Sequence, residues 1–163
     1  MNGGPLHRRL RRLDRITVPN PVFFITVCVR QRRTVLADAR ATRLLRAEWE
    51  NASARHGWLV GRYVVMPDHV HFFCAERPNG TRRDLSGFLR QWKEWTAKAL
   101  CRSLGLASPV WQRGFFDHIL RSEESYAEKW AYVRDNPVRA ELVKCWKDWP
   151  HQGFVDFDQP ADL

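Results

Sequence analysis

Residues 58–74 read WLVGRYVVMPDHVHFFC, two apolar runs rich in β-branched and aromatic side chains, Trp58 to Met66 and His69 to Cys74, parted by Pro67-Asp68. Runs of that composition favour strands, and a Pro-Asp pair between them marks a turn, so the segment predicts a β-hairpin. Upstream, VFFITVCV at residues 22–29 is short and apolar throughout, as suits a strand covered on both faces. Between the two lies a helical pattern from about Ala37 to Arg55, with Ala41, Leu44, Leu45, Trp49 and Ala52 on one face and Gly57 as its stop. Downstream, the loop ERPNGTRRD leads into an amphipathic helix over 85–104, with Leu85, Phe88, Leu89, Trp92, Thr96, Ala99 and Leu100 at i, i+3, i+4 spacing and Gly105 after it. A short strand at about Phe116 to Leu120 follows. Ser122 then caps a helix with Glu123 and Glu124 in its first turn, where the positive helix end favours carboxylates. That helix is expected to stop at Asn136, because a residue before proline disfavours the α conformation. The order β-α-β-β-α-β plus a helix predicts an α+β protein, a ferredoxin-like antiparallel sheet with helices packed on it.

The chain has 163 residues, 27 Lys and Arg against 18 Asp and Glu, and a formal net charge of +9. That length suits one domain with an ordinary core. The 44% hydrophobic content excludes a disordered tail, and no apolar run reaches the roughly 18 residues a membrane helix needs. Arginine supplies 22 of the 27 basic groups, and guanidinium is the side chain best matched to planar phosphate recognition. Nucleic acid is thus the leading partner, with solubilising surface charge the plain alternative. The charge is uneven: residues 1–150 hold all 27 basic groups, whereas 150–163 hold Asp156, Asp158 and Asp162 and none. The organisation expected is a basic N-terminal arm at 1–20, one domain at 21–149 and an acidic C-terminal tail at 150–163. Cys28, Cys74, Cys101 and Cys145 lack CxxC spacing, which fits a reducing compartment. The apolar run after the basic start ends at Arg30 without a small-residue cleavage site, so a cytoplasmic, nucleoid-associated protein is expected.

His69-Val70-His71 stands in the second hairpin strand. Alternation puts both imidazoles on one face, ~7 Å apart at Cα, with Val70 toward the core. Two imidazoles so placed can chelate one metal ion, or simply line a hairpin surface. Cys74 falls on the opposite face with Val70 and Phe72 and reads as a buried small hydrophobe. Near the end of the last helix, Tyr132 and Asn136 are four residues apart and share a face. Asn136 precedes Pro137, which frees its amide oxygen to act as a ligand; the plain reading is a core tyrosine and an Asn-Pro stop.

Two blocks, MPDHVHFFC at 66–74 and WQRGFFDHILRSEESYAEKWAYVRDNPVRAELV at 111–143, with the order and spacing between them, resemble the IS200-like single-tyrosine HUH transposases, and within them the REP-associated tyrosine transposases. The resemblance covers about residues 20–145. It implies His69 and His71 as metal ligands, Asn136 as a third, Tyr132 as nucleophile, and a single-stranded DNA substrate carrying a hairpin, such as a REP-like palindrome, with a short guide sequence at its foot. The chain departs from the family pattern at Glu141, where glycine is usual, and at Asp68, where asparagine is common; the first bears on the turn after the helix.

A phenol with an ordinary pKa near ~10 is a weak nucleophile at neutral pH. A divalent ion, Mg²⁺ or Mn²⁺, held by neutral imidazoles and an amide keeps its charge for the scissile phosphate. The expected product is a 5′-phosphotyrosine with a free 3′-OH, so the strand can be rejoined without ATP. Tyr126 lies ~240° around the helix from Tyr132 and reads as packing. Phosphate contacts are expected from Arg8, Arg9, Arg11, Arg12, Arg15, Arg82, Arg83, Arg90 and Lys93. Trp111 and Gln112 read as base contacts or core, and His118 as a DNA contact or a support of the site. The protein is expected as a monomer or homodimer. The alternatives are a catalytically silent hairpin-binding module on the same fold and a phosphohydrolase that uses water.

Overall fold

The computed structural model describes residues 20–79 and 84–163. The expected basic arm, with Arg8, Arg9, Arg11, Arg12 and Arg15, lies outside the described residues apart from Asn20, and so do Arg82 and Arg83.

Five strands form one antiparallel sheet: β1 (Val22–Cys28), β2 (Trp58–Met66), β3 (His69–Glu76), β4 (Phe116–Leu120) and β5 (Gln152–Phe154), in the order β4-β1-β3-β2-β5. The first four make the 4-1-3-2 order of a ferredoxin-like sheet, as the element order predicts. α1 (Ala39–Glu50) and α2 (Ala52–His56) link β1 to β2, and α3 (Leu85–Leu104) links β3 to β4. α4 (Glu123–Arg134) and the single turn α5 (Asn136–Arg139) follow β4.

Strand alternation sorts the apolar residues into two layers. Ile25, Val27, Val60, Tyr63, Val65, Val70, Phe72 and Cys74 face α1 and α3, whose Leu45, Trp49, Phe88, Leu89 and Trp92 close over them. Trp49 and Trp92 stack with ring centroids 5.4 Å apart and planes 8° from parallel. The opposite layer joins Phe24, Val64, Met66 and Phe73 to Tyr126, Trp130 and Val133 of α4 and to Trp149 and Phe157 beyond it. Cys74 is fully buried against Val70 and Phe72, as its alternation predicts.

Local chemistry sets the helix ends. Asp38 accepts from the backbone N–H of Arg40 and Ala41 at the start of α1. The single helix predicted to Arg55 is interrupted at Asn51, whose side-chain amide donates to the Ala47 carbonyl, and resumes as α2 until Gly57 at φ 73°. Asp84 caps α3 on the Gly87 N–H and Ser122 caps α4 on the Ser125 N–H. Asn136 does not end helical structure as predicted. The break falls at Asp135, and Pro137 sits in the first turn of α5, where its missing N–H has no partner to lose.

Residues 150–163 are not a tail outside the domain. β2 carries a bulge between Val60 and Tyr63, which turns Arg62 toward α4. β5 pairs there with β2, and the Phe157 ring fills the space beside Gly61, where a Cβ would meet it at 2.5 Å. Asp156 accepts from the Val60 N–H at 2.7 Å, its carboxyl held above the usual range by burial. Asp158 pairs with Arg62 at 2.7 Å, and its carbonyl accepts from the Tyr126 hydroxyl at 2.9 Å. Arg62 in turn lies 4.5 Å over the Trp130 ring. The acidic residues therefore fasten α4 to the sheet.

Candidate active site

The β2–β3 hairpin turns in two residues, and its register places His69 opposite Cys28 and His71 opposite Thr26 of β1. Both imidazoles lie on the α4 side of the sheet with Phe73. Their Nε2 atoms are 3.1 Å apart. The far nitrogen of each ring is held from behind: His69 Nδ1 by the Asp68 carboxylate at 2.7 Å, His71 Nδ1 by the Thr26 hydroxyl at 2.8 Å. Asp68 is itself held by Arg32 at 2.8 Å. A carboxylate on His69 Nδ1 keeps the proton there and leaves Nε2 with its lone pair. Thr26 can donate to or accept from His71, so that ring can carry its proton on either nitrogen.

Burial pushes both imidazoles toward the neutral form. His69 is lowered by desolvation, partly offset by Asp68. His71, with its ring stacked 5.3 Å from Phe24, is lowered to about 3 by burial first, then by the positive charges of His69, Arg32, Lys129 and Arg139. Two imidazoles whose Nε2 atoms lie 3.1 Å apart, each ring oriented by a partner on its other nitrogen, fit a divalent cation, since metal–nitrogen bonds of about 2.1 Å reach one ion from both. Among the described residues, no group of three or more His, Cys, Asp or Glu side chains gathers around a common point, so a further protein donor has to be of another kind.

α4 brings the second half of the site. Tyr126, Trp130 and Val133 are its buried stripe, and the neighbouring stripe presents Lys129, Tyr132 and, past the break, Asn136. Lys129 Nζ stands 5.1 Å from the Phe24 ring that stacks on His71, which puts this stripe beside the imidazole pair. Tyr132 is 63% exposed. The Arg139 guanidinium covers its ring at 4.1 Å, donates to the Tyr132 carbonyl at 2.8 Å and donates to the Asn136 side-chain oxygen. Tyr126 is buried, with its phenol raised by desolvation and bonded to Asp158; it is a packing residue.

The other sequence-derived candidates scatter. Trp111 is 6% exposed, packs 5.3 Å from Trp92 and donates its indole N–H to Thr96, so it belongs to the core and offers no free face to a base. Lys93 is spent on the loop after it, donating to the carbonyls of Gln112, Arg113 and Gly114, and burial lowers its pKa. Arg90 is exposed on α3, across the sheet from the imidazoles. Gln112 is exposed, with its backbone N–H bonded to Cys28. His118 pairs in register with Phe24 and is exposed on the imidazole side. Phe116, two residues earlier, pairs with Thr26, is 53% exposed, and lies in the same cross-strand row as His71. Sequence reasoning missed Thr26, Lys129, Arg139 and Phe116. Lys129 and Arg139 had a signal, three residues before Tyr132 and three after Asn136. Thr26 and Phe116 had none, since only the strand register brings them to His71.

The chain belongs to the IS200-like transposase family, whose model, described as transposase IS200 like, matches residues 18–136. It is 28% identical over 140 residues to the REP-associated tyrosine transposase of Escherichia coli K12, covering 86% of this chain and 80% of that one. It is similar to the structure of a REP-associated tyrosine transposase bound to a REP hairpin, with a TM-score of 0.67, 27% identity, and 85% and 79% of the two chains covered. A crystal structure from Deinococcus radiodurans R1 shares the fold, at TM-score 0.54 and 20% identity over 74% of this chain and 94% of that one. No helix among the described residues is long and apolar enough to cross a membrane.

Proposed function

We propose that this protein is a metal-dependent single-stranded DNA endonuclease and strand-transferase acting at hairpin-associated sites, with Tyr132 as nucleophile. The observation that carries the reading is the 3.1 Å convergence of two neutral imidazole nitrogens on the face that the tyrosine helix borders. His69 and His71 would hold Mg²⁺ or Mn²⁺, with the Asn136 amide oxygen as a third ligand. When bound, the ion supplies charge that polarises the scissile phosphate.

The chain's own groups do the rest. Asp68 and Thr26 fix the imidazole rings. Tyr132, exposed and on the same side, attacks phosphorus; the Tyr132–phosphate bond forms as the bond to the 3′ oxygen breaks, leaving a 5′-phosphotyrosine and a free 3′-OH. Lys129 and Arg139 flank the place where phosphate charge gathers, and their positive charge favours it. Phe116 and His118, exposed on β4 beside this row, suit an unpaired base stacked next to the cleaved link. One chain supplies His69, His71, Tyr132 and Asn136, which accords with action as a monomer and equally with exchange of tyrosine helices in a homodimer. The relative whose structure holds a REP hairpin makes a REP-like palindrome the substrate class to try first. Four free cysteines accord with a reducing cytoplasm, on the nucleoid.

The test is incubation of the wild type and Tyr132→Phe with hairpin-bearing single strands drawn from palindromes flanking the gene, plus Mn²⁺, read on a denaturing gel. A covalent protein–DNA adduct is expected only with Tyr132 intact. Equal cleavage by the Phe variant would assign the attack to water, and hairpin binding without an adduct would make the protein a binding module.

A further inference from the structure

The Arg139 side chain touches both Tyr132 and Asn136. Its guanidinium lies 4.1 Å over the Tyr132 ring, donates at 2.8 Å to the Tyr132 carbonyl, and donates to the Asn136 side-chain oxygen. That oxygen is the third ligand assigned above. An amide oxygen bonded to one cation is a weaker donor to a second, so in the protein as it stands Arg139 competes with an ion for that oxygen. Arg139 is also exposed, and a DNA phosphate is a stronger partner for guanidinium than a neutral amide, being charged and able to accept a fork of two N–H bonds.

We propose that Arg139 couples DNA to the metal: without DNA it holds the Asn136 oxygen back, and a strand phosphate draws the guanidinium off and releases that oxygen to the ion. The inference rests on the reading of His69, His71 and Asn136 as ligands. Arg139 then touches the strand phosphate directly and acts on the metal through Asn136. The coupling is reciprocal, so bound metal tightens DNA by the factor by which DNA tightens metal. It keeps the site weak for metal until a strand is present.

Mn²⁺ affinity, measured by electron paramagnetic resonance or calorimetry, tests it without turnover. The full chain carries Tyr132→Phe, which keeps the ring under Arg139, and oligothymidine is the strand. Arg139→Met, of similar length and without a donor, is expected to bind Mn²⁺ about tenfold more tightly than its parent in the absence of DNA. It is also expected to show a smaller gain when oligothymidine is added. Adding Asn136→Ala should abolish the DNA-free gain; a gain that survives is an effect of charge alone and overturns the proposal, as does no gain. Should Arg139→Met fail to fold, the Asn136 side-chain amide resonance of the metal-free parent gives a second measure. It is expected to move as oligothymidine binds, and an unmoved resonance at saturation overturns the proposal. Adduct formation with Tyr132 intact, run alongside, separates the two claims. Its absence removes the strand-transferase reading, whereas an adduct with unchanged Mn²⁺ affinity in Arg139→Met removes only the coupling.

Discussion

The two faces of the sheet are built to different ends. On one, α1 and α3 close over the strands along their length, and Trp49, Trp92, Phe72 and Phe88 are buried almost completely. On the other, α4 and residues 150–163 cover the strands only in part, and the end they leave carries His69, His71, Thr26 and the exposed Phe116. The first face spends its aromatic residues on packing. The second keeps polar groups half-buried, where desolvation pushes the imidazoles toward the neutral form. The division teaches that stability and chemistry can be perturbed separately in a sheet of five strands.

The largest effect expected is on the packed face. Trp92→Ala should lower unfolding free energy by about 3–5 kcal/mol, measured by urea denaturation, while Mn²⁺ affinity per folded molecule stays unchanged; a large loss of affinity in the folded fraction would break the separation. On the other face, the pH response of the metal-free protein should trace to His71. Its native pKa of about 3 is below the ordinary imidazole value of 6.5, so the unfolded chain takes up a proton that the native protein refuses. The stability this gives is fully present above pH 6.5 and is lost as pH falls toward 3, with a slope of up to about 1.4 kcal/mol per pH unit. His69 works in the same direction, and Asp156, raised by burial, in the opposite one at lower pH. Denaturation at stepped pH in EDTA should show a shallower fall for His71→Asn; an identical slope would show that burial of this ring does not govern the acid limb.

Phe116→Ala should weaken binding of single strands about tenfold, the loss of one stacked base. Thermal stability should be nearly unchanged, because the ring is half exposed, and Phe116→Trp should restore binding. Fluorescence of 2-aminopurine placed beside the cleaved link would report it, and unquenched fluorescence in the wild type would remove the ring from the interface. The smallest effect belongs to Glu141. The N–H groups of Glu141 and Leu142 close on the carbonyls of Val138 and Pro137, and Glu141 sits at φ 58°. That is the left-handed position of a helix-ending turn, which suits the glycine that the family resemblance leads one to expect there. The turn survives the departure, at a cost that Glu141→Gly should recover as about 1 kcal/mol in urea melts.

Much of this was legible in the sequence because it rests on local rules. Short apolar runs rich in β-branched and aromatic side chains gave four strands, helical spacing with cap and stop residues gave the helices, and HxH in a strand with Tyr132 and Asn136 at i, i+4 gave candidates whose roles the family resemblance supplied. What was not legible is nonlocal. Residues 150–163 are short of apolar side chains, and only the bulge at Gly61 and the pocket it leaves for Phe157 make them part of the sheet. For Trp111 the core was one of the two readings, and what the sequence could not supply was its partners, Thr96 and Trp92 on α3. Asn136 looked like a helix end because the rule about residues before proline is local, whereas a break one residue earlier lets Pro137 begin a new turn.

The clasp at Asp158 has a consequence for how errors in this chain would show themselves. Gly61 has no side chain, stands on a strand apart from the tyrosine, and touches no candidate site residue. Yet any Cβ there displaces Phe157, and with it the segment whose Asp158 carbonyl and carboxylate hold Tyr126 and Arg62. The placement of α4, and of Tyr132 on it, thus depends on the missing side chain at Gly61, and with Tyr132 read as the nucleophile a substitution there is expected to lower adduct formation.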